Sequence, residues 1–346
     1  MQTVFQENAS DLHITVGRKP TLRVDGGLVE LAKFSVITQE SAGEFIFQLV
    51  TPEQKEVYLK NKELDLSYSY KGKGRFRVNI FFQRGFMGAA LRLIPTTIRT
   101  PEELNLPPIL LEFASRSQGF LLVVGPTGHG KTTTLASLVD YINHSRNDHI
   151  ITVEDPIEFL FNSDRSIVDQ REVGVDTNDF AIALRSAFRE DVDAIMVGEM
   201  RDPETMGAAV TAAETGHLIF SSLHTNNAAQ TIDRIIDSFP SGQQGQIRAQ
   251  LSGTLIGIVS QRLLPRISGG LVPAVEVMIA TSAVKNLIRE NKVHEIDNVI
   301  STSSDEGMIS VNRSLVDLVR RGEVTIETAA AYSQDVQDFQ LLLKRS

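Results

Sequence analysis

The chain has 346 residues, of which 42% are hydrophobic and 22% charged, and its formal net charge is −9. This length allows about two domains, and the absence of cysteine excludes disulfide frameworks, thiolate zinc sites and cysteine nucleophiles. No apolar run reaches the roughly 18 residues of a membrane span, and residues 1–10 lack the basic and apolar segments of a signal peptide. We therefore expect a cytoplasmic protein without direct membrane insertion. The acidic charge argues against a dedicated nucleic-acid partner, which usually carries a basic footprint.

Residues 1–94 have the pattern of a small α+β domain with an antiparallel sheet. The segment "DLHITVG" alternates as a strand does, and "TLRVDGGLVEL" predicts a hairpin around residues 25–27. Thr51 begins a predicted helix, "TPEQKEVYLKN", with proline at its first position. Two strands joined by a Lys-Gly-Lys-Gly turn follow. In the second of them three polar residues alternate with apolar ones and so share one face: Arg75, Arg77 and Asn79.

Residues 95–108, "PTTIRTPEELNLPP", hold four of the twelve prolines and predict a linker with a restricted backbone. The segment "TPEEL" within it also suits a helix start, with Thr100 as the N-cap and Pro101 as the first residue. From residue 109 onward, near-continuous apolar runs alternate with helical patterns. Strands of this kind are typical of a parallel sheet that helices cover on both faces, so residues 109–346 predict an α/β domain.

Gly125 to Thr132 match the pattern G-x-x-x-x-G-K-[ST] between a predicted strand, "FLLVV", and a predicted helix, "TTTLASLVDYI". Glycines in this position let backbone N–H groups converge on phosphate oxygens at the positive end of a helix. Lys131 is expected to reach the β- and γ-phosphates, and the Thr132 hydroxyl to take a Mg²⁺ position. An ordinary glycine-rich turn is the alternative. The context favours a site for a nucleoside triphosphate.

Carboxylates follow two predicted strands of the same domain. The segment "IITVEDPIEF" contains Glu154, Asp155 and Glu158, and "AIMVGEMRD" contains Glu199. Ligands of open α/β sheets bind outside the carboxyl ends of the strands, so these acids should face the phosphate loop. One should hold Mg²⁺ or its water and another should polarise the attacking water. The alternative for any one of them is a helix cap or an ion pair with arginine.

Two histidines, His217 and His224, flank the apolar run "LIFSSL". Their separation of seven places the rings on opposite faces of an unbroken strand, so they should have different partners. A zinc site would need further ligands besides these two, and the chain has only seven histidines and no cysteine to supply them. A packed core histidine is the plain alternative for His217, whereas His224 lies at the polar end and is expected to touch the γ-phosphate or a neighbouring subunit. We interpret both as residues that report the nucleotide state.

Four blocks, in this order, resemble the secretion-type hexameric ATPases and, within them, the type IV pilus retraction ATPases. They are the Walker A "GPTGHGKTTT", the acidic box "ITVEDPIEF", the Walker B "IMVGEMRDPET" and the histidine box "TGHLIFSSLHTNNAAQTIDRIID". The segment "AVKNLIRE" at 283–290 is similar to the retraction signature A-I-R-N-L-I-R-E and differs at Val284 and Lys285. His129 stands where this family usually has a small residue in the phosphate loop.

The resemblance implies a PAS-like domain at 1–94, the linker at 95–108 and a RecA-like P-loop ATPase domain with carboxy-terminal helices at 109–346. It implies a homohexamer that hydrolyses ATP with Mg²⁺ and drives pilus retraction, and hence twitching motility, against an inner-membrane platform protein at the inner face of the cell membrane. Glu158 would be the general base, Glu199 would support Mg²⁺ together with Thr132, and His217 and His224 would form the histidine box. The nucleotide contacts it implies are Gly125, Pro126, Thr127, Gly128, His129, Gly130, Lys131, Thr132 and Thr133. The arginines that would complete a neighbour's site are Arg77, Arg84 and Arg92.

Three other functions compete with this one. A pilus-assembly or type II secretion ATPase usually carries an extra amino-terminal domain and a tetracysteine insert, which this sequence lacks. A hexameric nucleic-acid motor would bind single strands tightly and with strong salt dependence. A scaffold that binds nucleotide without turnover is the third.

The segment "SAVKNLIREN" predicts an amphipathic helix with an apolar face of Val284, Leu287 and Ile288. Such a helix either docks on a partner or closes the ATPase core.

Overall fold

The computed structural model describes residues 1–24 and 26–344 as two compact units. The first unit comprises Met1–Thr97 together with the short segment Glu158–Leu160. The second comprises Ile98–Ile157 and the chain from Phe161 onward. The sequence pattern did not predict the return of Glu158–Leu160 to the first unit, because nothing in its composition distinguishes it from the neighbouring loop.

The first unit is an antiparallel sheet with helices. Its strands are β1 (Asp11–Ile14), β2 (Thr21–Val24), β3 (Gly27–Glu30), β4 (Glu63–Tyr70), β5 (Gly74–Gln83) and β6 (Phe86–Leu93). They lie in the order β3-β2-β1-β6-β5-β4, and all neighbours are antiparallel. Its helices are α1 (Gln2–Gln6), α2 (Gln39–Phe47) and α3 (Pro52–Asn61). The strands β2 and β3 pair as the predicted hairpin, of which Asp25 lies outside the described residues.

Local chemistry explains where α3 begins and which face of β5 is buried. The Thr51 hydroxyl accepts a hydrogen bond from the Gln54 N–H at 3.3 Å, and the Gln54 side chain accepts one from the Thr51 N–H at 3.0 Å. This reciprocal cap fixes the predicted helix start. Along β5, Phe76 and Val78 are fully buried while Arg77 between them is exposed, as the alternation predicts.

The second unit contains a sheet of order β13-β12-β7-β11-β10-β8-β9. Its strands are β7 (Gly119–Val124), β8 (His149–Glu154), β9 (Ile167–Glu172), β10 (Ala194–Val197), β11 (Leu218–Leu223), β12 (Leu255–Pro265) and β13 (Leu271–Ile279). Neighbours are parallel except β12 and β13, which form an antiparallel pair. The predicted α/β fold class is confirmed.

Helices pack on both faces of this sheet. They are α4 (Ile109–Ala114), α5 (Lys131–Ser145), α6 (Phe180–Ala187), α7 (Pro203–Glu214), α8 (Ala228–Asp237), α9 (Ser241–Thr254), α10 (Ser282–Arg289), α11 (Ile296–Thr302), α12 (Val311–Arg320), α13 (Ile326–Tyr332) and α14 (Val336–Lys344), with 3-10 helices at Val293–Glu295 and Ser304–Glu306. Alternate residues of β7 serve two separate cores: Phe120 and Leu122 face one, Leu121 and Val123 the other. Because both faces are covered, the strand is apolar throughout rather than alternating.

Two predictions about helices need correction. The Thr100 side chain does accept a hydrogen bond from the Glu103 N–H at 3.3 Å, but residues 101–105 form only a turn. Asn105 has a φ of 57°, and prolines follow directly at 107 and 108, so the helix cannot continue.

The second correction concerns α10. Val284 and Ile288 are fully buried in the same core as α9, so the apolar face of α10 closes the core and the docking interpretation of that face is wrong. In the described residues, 1–24 and 26–344, no helix has the length and hydropathy to cross a membrane.

Candidate nucleotide site

The site lies at the carboxyl ends of parallel strands in the second unit. The phosphate loop follows β7, Asp155 follows β8, Glu199 follows β10 and His224 follows β11. In open α/β sheets, the crevice outside these strand ends is where ligands bind. The strand order therefore brings together side chains that are up to about a hundred residues apart in sequence.

Glycines of the loop occupy positions that other residues would not fit. Gly128 and Gly130 have φ values of 80° and 82°, which L-residues rarely adopt. A side chain at Gly125 would place its Cβ 2.3 Å from the backbone oxygen of Gln261, so the loop must approach β12 without one. Gly130 ends the loop and α5 begins at Lys131. The first N–H groups of a helix have no partner within it, which makes this turn suitable for phosphate oxygens.

Lys131 is buried, with 7% of its surface exposed, and its ammonium group lies within the loop. Its Nζ donates hydrogen bonds to the backbone oxygens of Gly125 at 2.9 Å and Pro126 at 3.0 Å. It also lies 3.3 Å from Nδ1 of His224. The positive charge is thus held where the loop would surround a phosphate group.

His224 connects the loop to the acid that follows β10. An ammonium group can only donate, so His224 Nδ1 accepts from Lys131, and the Thr127 hydroxyl lies 3.3 Å from the same atom. The ring is therefore the tautomer that carries its proton on Nε2, and Nε2 donates to Glu199 at 3.1 Å. A contact between His224 and the triphosphate region, as the sequence predicts, fits this position.

Glu199 is the carboxylate that His224 contacts. Its side chain is 18% exposed and forms an ion pair with Arg201, and Arg201 lies 3.7 Å from Asp155. The hydrogen bond that Arg201 donates to Glu199, with the charges of Glu199 and Asp155, raises the pKa of Arg201 above its ordinary value. Positive and negative groups alternate from Lys131 to Asp155, so a polyanion and a cation could each find an oppositely charged partner here.

The other acids differ in their surroundings. Glu154 is buried, and its Oε1 accepts hydrogen bonds from the Thr152 hydroxyl at 2.7 Å and the Gln170 amide at 3.2 Å, so it holds β8 to β9. Glu158 lies in the segment that belongs to the first unit, whereas the loop belongs to the second. Its assignment as general base stays a prediction.

His217 does not join His224. It precedes β11 while His224 follows it, which separates the two by roughly 20 Å at about 3.3 Å per residue. Its Nδ1 lies 2.9 Å from the backbone oxygen of Ala212 and 3.1 Å from the Thr215 hydroxyl, and the ring packs beside Phe188. The prediction that the two histidines have different partners is confirmed, and the half-buried His217 binds the end of α7 rather than packing in the core.

Sequence reasoning missed the role of β12. Gln261 is buried, and its amide donates to the backbone oxygen of His129 at 2.9 Å and accepts from the Thr134 hydroxyl at 2.8 Å. The N–H of Leu263 donates to His129 Nδ1 at 2.9 Å. Burial, followed by the charges of Arg262 and Lys131, lowers the pKa of His129. One signal was available in the sequence: three consecutive polar residues, Ser260 to Arg262, interrupt the apolar run of β12.

The comparisons with known proteins agree with this geometry. A family model described as "Type II/IV secretion system protein" matches residues 100–270. The chain is 43% identical over 334 residues to the "Type IV pilus retractation ATPase PilT" of Pseudomonas aeruginosa, with 96% of this chain and 97% of that protein covered. It is 44% identical over 317 residues to the "Twitching motility protein" of Neisseria gonorrhoeae, with 91% and 84% covered.

The chain belongs to the Type II/IV secretion system protein family. A solved structure, "Crystal Structure of the Pilus Retraction Motor PilT and Bound ADP", matches this member of the family with a TM-score of 0.91. The identity is 44%, and 100% of this chain and 98% of that one are covered. The family resemblance that the four sequence blocks indicate is therefore confirmed.

This member of the family carries the three candidate arginines in its first unit, where two of them meet. Arg77 on β5 lies directly opposite Arg92 on β6. Arg92 donates to Asp11 at 2.9 Å while its side chain stays 70% exposed. Arg84 lies in the turn between β5 and β6, with a φ of 52°, and is roughly 20 Å from Arg77 at about 3.3 Å per residue. Arg84 therefore lies well apart from the pair, and a role for any of the three stays a prediction.

The donors at this family member's site also suit Mg²⁺. Thr132 and Thr133 lie half-buried in the first turn of α5, and Glu199 offers a carboxylate beside the loop. Hydroxyl and carboxylate oxygens, with phosphate oxygens, are the ligands that this cation takes in nucleotide enzymes.

Proposed function

We propose that this chain is a motor ATPase that hydrolyses ATP to ADP and phosphate and uses the energy to retract type IV pili. It works as a homohexamer in the cytoplasm, on an inner-membrane platform protein of the pilus machine. The proposal is supported by near full-length similarity to PilT and to a twitching motility protein at 43% and 44% identity. The observation that carries it is the continuous contact from Lys131 through His224 to Glu199.

The loop residues 125–133 bind the triphosphate. The phosphate oxygens replace the backbone carbonyls of Gly125 and Pro126 as acceptors for Lys131 Nζ. Thr132 and Glu199 would hold Mg²⁺, which would supply positive charge against the phosphate oxygens. Glu199 also pairs with Arg201, so the arginine keeps this carboxylate beside the loop.

Glu158 accepts a proton from the attacking water and so acts as the general base. His224 donates to Glu199 and accepts from Lys131, so a change at the γ-phosphate alters both contacts at once. This position lets His224 transmit the nucleotide state to β11. His217 acts at the far end of the same strand through α7, without touching the phosphates. Arg77 or Arg92 completes the site of a neighbouring subunit.

Deletion and complementation in the host bacterium test the function. Cells that lack the gene should keep their pili and lose twitching, because retraction is lost while assembly continues. The parent chain should restore twitching and Lys131→Ala should not. Loss of pili would instead identify an assembly ATPase, and normal twitching would contradict the proposal. Electron microscopy of the purified protein with ATP should show six-fold rings.

A further inference from the structure

The phosphate loop is fastened to β12 by contacts that phosphate binding itself does not require. The ladder between β7 and β12 ends where Val124 pairs with Ser260, yet β12 continues to Pro265. The loop begins at this point, directly after Val124. It therefore runs alongside the part of β12 that β7 no longer covers.

The side chain of His129 continues the ladder there. Leu263 lies opposite Pro273 on β13, and its N–H points to the other side, where His129 Nδ1 accepts it at 2.9 Å. The imidazole thus takes the place that a backbone carbonyl of a neighbouring strand would occupy. A small residue in this position could not reach Leu263 with a side-chain acceptor.

Gln261 adds two contacts from the same strand. Its amide nitrogen donates to the His129 backbone oxygen at 2.9 Å, and its amide oxygen accepts from the Thr134 hydroxyl at 2.8 Å. Gln261 and Thr134 are both buried. The last residues of the loop and the first turn of α5 are therefore joined to one rigid strand.

We infer that His129 is a positioning residue for nucleotide binding: through an acceptor at Nδ1 it holds the phosphate loop on β12, together with Gln261, before the phosphates arrive. The inference rests on the proposed function for its effect on ATP, but the contacts between His129 and β12 lie within the chain and can be measured without nucleotide. A loop that is already ordered loses less conformational freedom on binding, and the affinity rises accordingly.

The charge state of His129 agrees with this role. Nδ1 can accept only while it carries no proton, because an imidazolium ring donates from both nitrogens. Burial and the positive charges of Lys131 on α5 and Arg262 on β12 lower the pKa of His129 and keep the ring neutral. The same cations that surround the ring therefore preserve the acceptor.

Three substitutions separate the position of the acceptor from mere side-chain size. Asparagine places an oxygen where Nδ1 lies, glutamine places it one bond further out, and serine removes the reach altogether. We expect His129→Asn to bind a fluorescent ADP analogue within about twofold of the parent. His129→Gln and His129→Ser should each raise its Kd about three- to tenfold, which is the worth of one net hydrogen bond. In steady state, KM should rise with little change in kcat, because the lost contact serves binding rather than the transition state.

Amide hydrogen exchange without nucleotide provides the second readout. The Leu263 amide should exchange faster by a similar factor in the serine and glutamine variants than in the parent and the asparagine variant. His294→Asn, at a ring that is 77% exposed, is the matched control and should change neither measurement. Equal Kd values and equal exchange in all three variants would overturn the inference, as would a glutamine variant that matches asparagine. If the exchange pattern holds but no form binds nucleotide, the clamp stands and the proposed function fails.

Discussion

At the residue scale, the ammonium group of Lys131 is the centre of the site. Two loop carbonyls and His224 Nδ1 surround it, so it is buried and hydrogen-bonded. An unpaired buried charge would cost several kcal/mol. These contacts keep the lysine in place until phosphate oxygens replace them.

Lys131 and Glu158 should affect different steps. Lys131→Ala removes a charge that meets phosphate in the ground state, so we expect ATP affinity to fall at least about tenfold. Glu158→Gln removes a base that acts on water in the transition state, so binding should stay within about twofold while turnover falls about 10²- to 10⁴-fold. Equilibrium titration and phosphate release measure the two quantities.

Glu306→Gln is the matched control for Glu158→Gln, because Glu306 is an exposed carboxylate in a 3-10 helix. Its turnover should equal that of the parent. Unchanged turnover in Glu158→Gln would remove Glu158 as the base, and Glu199 would be tested next.

Some residues of the site could be predicted from the sequence and others could not. The loop pattern identifies Lys131 because its spacing and context are specific. The pattern cannot show that His129 binds β12, since that contact depends on where a strand more than a hundred residues later ends its pairing. His217 and His224 share one sequence block, and the pattern separates them and places His224 near the phosphates, but only the structure shows that His217 caps α7.

At the element scale, α8 begins on a buried carboxylate of β13. Glu276 is 6% exposed and accepts a hydrogen bond from the Ala228 N–H, at the first residue of α8, at 2.9 Å. Burial raises the pKa of Glu276 to about 7. Because α8 follows the segment that contains His224, this carboxylate joins the histidine strand to the antiparallel edge of the sheet.

Glu276→Gln should make the free energy of unfolding less dependent on pH. A carboxyl whose pKa is raised by folding binds its proton more tightly in the folded state, so its stability contribution is complete at low pH and is lost as pH rises through about 7. Glutamine keeps the acceptor for Ala228 without the charge. At pH 8 we expect its free energy of unfolding to exceed that of the parent by about 1–3 kcal/mol, with the difference shrinking toward pH 4.5. Urea unfolding at both pH values measures this, and parallel profiles would contradict it.

The helix α10 has one face that is buried in the core and one that is exposed. Val284 and Ile288 are fully buried, Lys285 is half-buried and Asn286 is exposed. Periodicity alone identifies such a face but cannot tell whether it packs inside the chain or on a partner, which is why the docking interpretation was open to error.

Replacement of Lys285 and Asn286 by alanine should leave ATPase activity within about twofold, since neither residue touches the loop or its acids. If the polar face of α10 transmits force, cells with this variant should remain piliated and stop twitching. Ile288→Ala is the structural comparison and should cost about 2–5 kcal/mol of stability. Normal motility in the double variant would exclude the helix from force transmission.

At the scale of the whole molecule, the sequence predicts the fold class of each of the two units. It predicts less well which segments of the chain belong to each unit. Apolar strands alternating with helices specify a parallel sheet, and the short alternating strands before residue 95 specify an antiparallel one. The membership of Glu158–Leu160 in the first unit could not be predicted, because it depends on long-range packing such as the hydrogen bond from the Leu160 N–H to the Pro95 oxygen at 3.5 Å. Register also lies beyond the sequence pattern: only the pairing of β5 with β6 shows that Arg77 and Arg92 are neighbours.

The paired arginines differ in their contacts, and this difference bears on which of them would complete a neighbouring subunit's site. Arg92 is bound to Asp11, whose pKa burial alone would raise but which the hydrogen bonds from Ser10 and Arg92, with the Arg92 charge, hold below its ordinary value. Arg77 lies beside it with an exposed side chain on the same face. We therefore expect Arg77 to be the arginine delivered in trans, with Arg92 fixed as its neighbour.

Mixed rings test this expectation. An arginine delivered to the γ-phosphate is worth about 10³–10⁵ in rate in other phosphate-loop enzymes, so Arg77→Ala rings should turn over ATP very slowly while still binding it. Lys131→Ala rings should be inactive for a different reason, the loss of nucleotide. When the two variants share a ring, some interfaces combine an intact Lys131 from one subunit with an intact Arg77 from the next, and phosphate release should partly recover. Lys60→Ala, an exposed cation on α3, is the matched control and should behave as the parent in every mixture. No recovery at any ratio, in rings that native mass spectrometry shows to be mixed, would mean that Arg77 does not act between subunits.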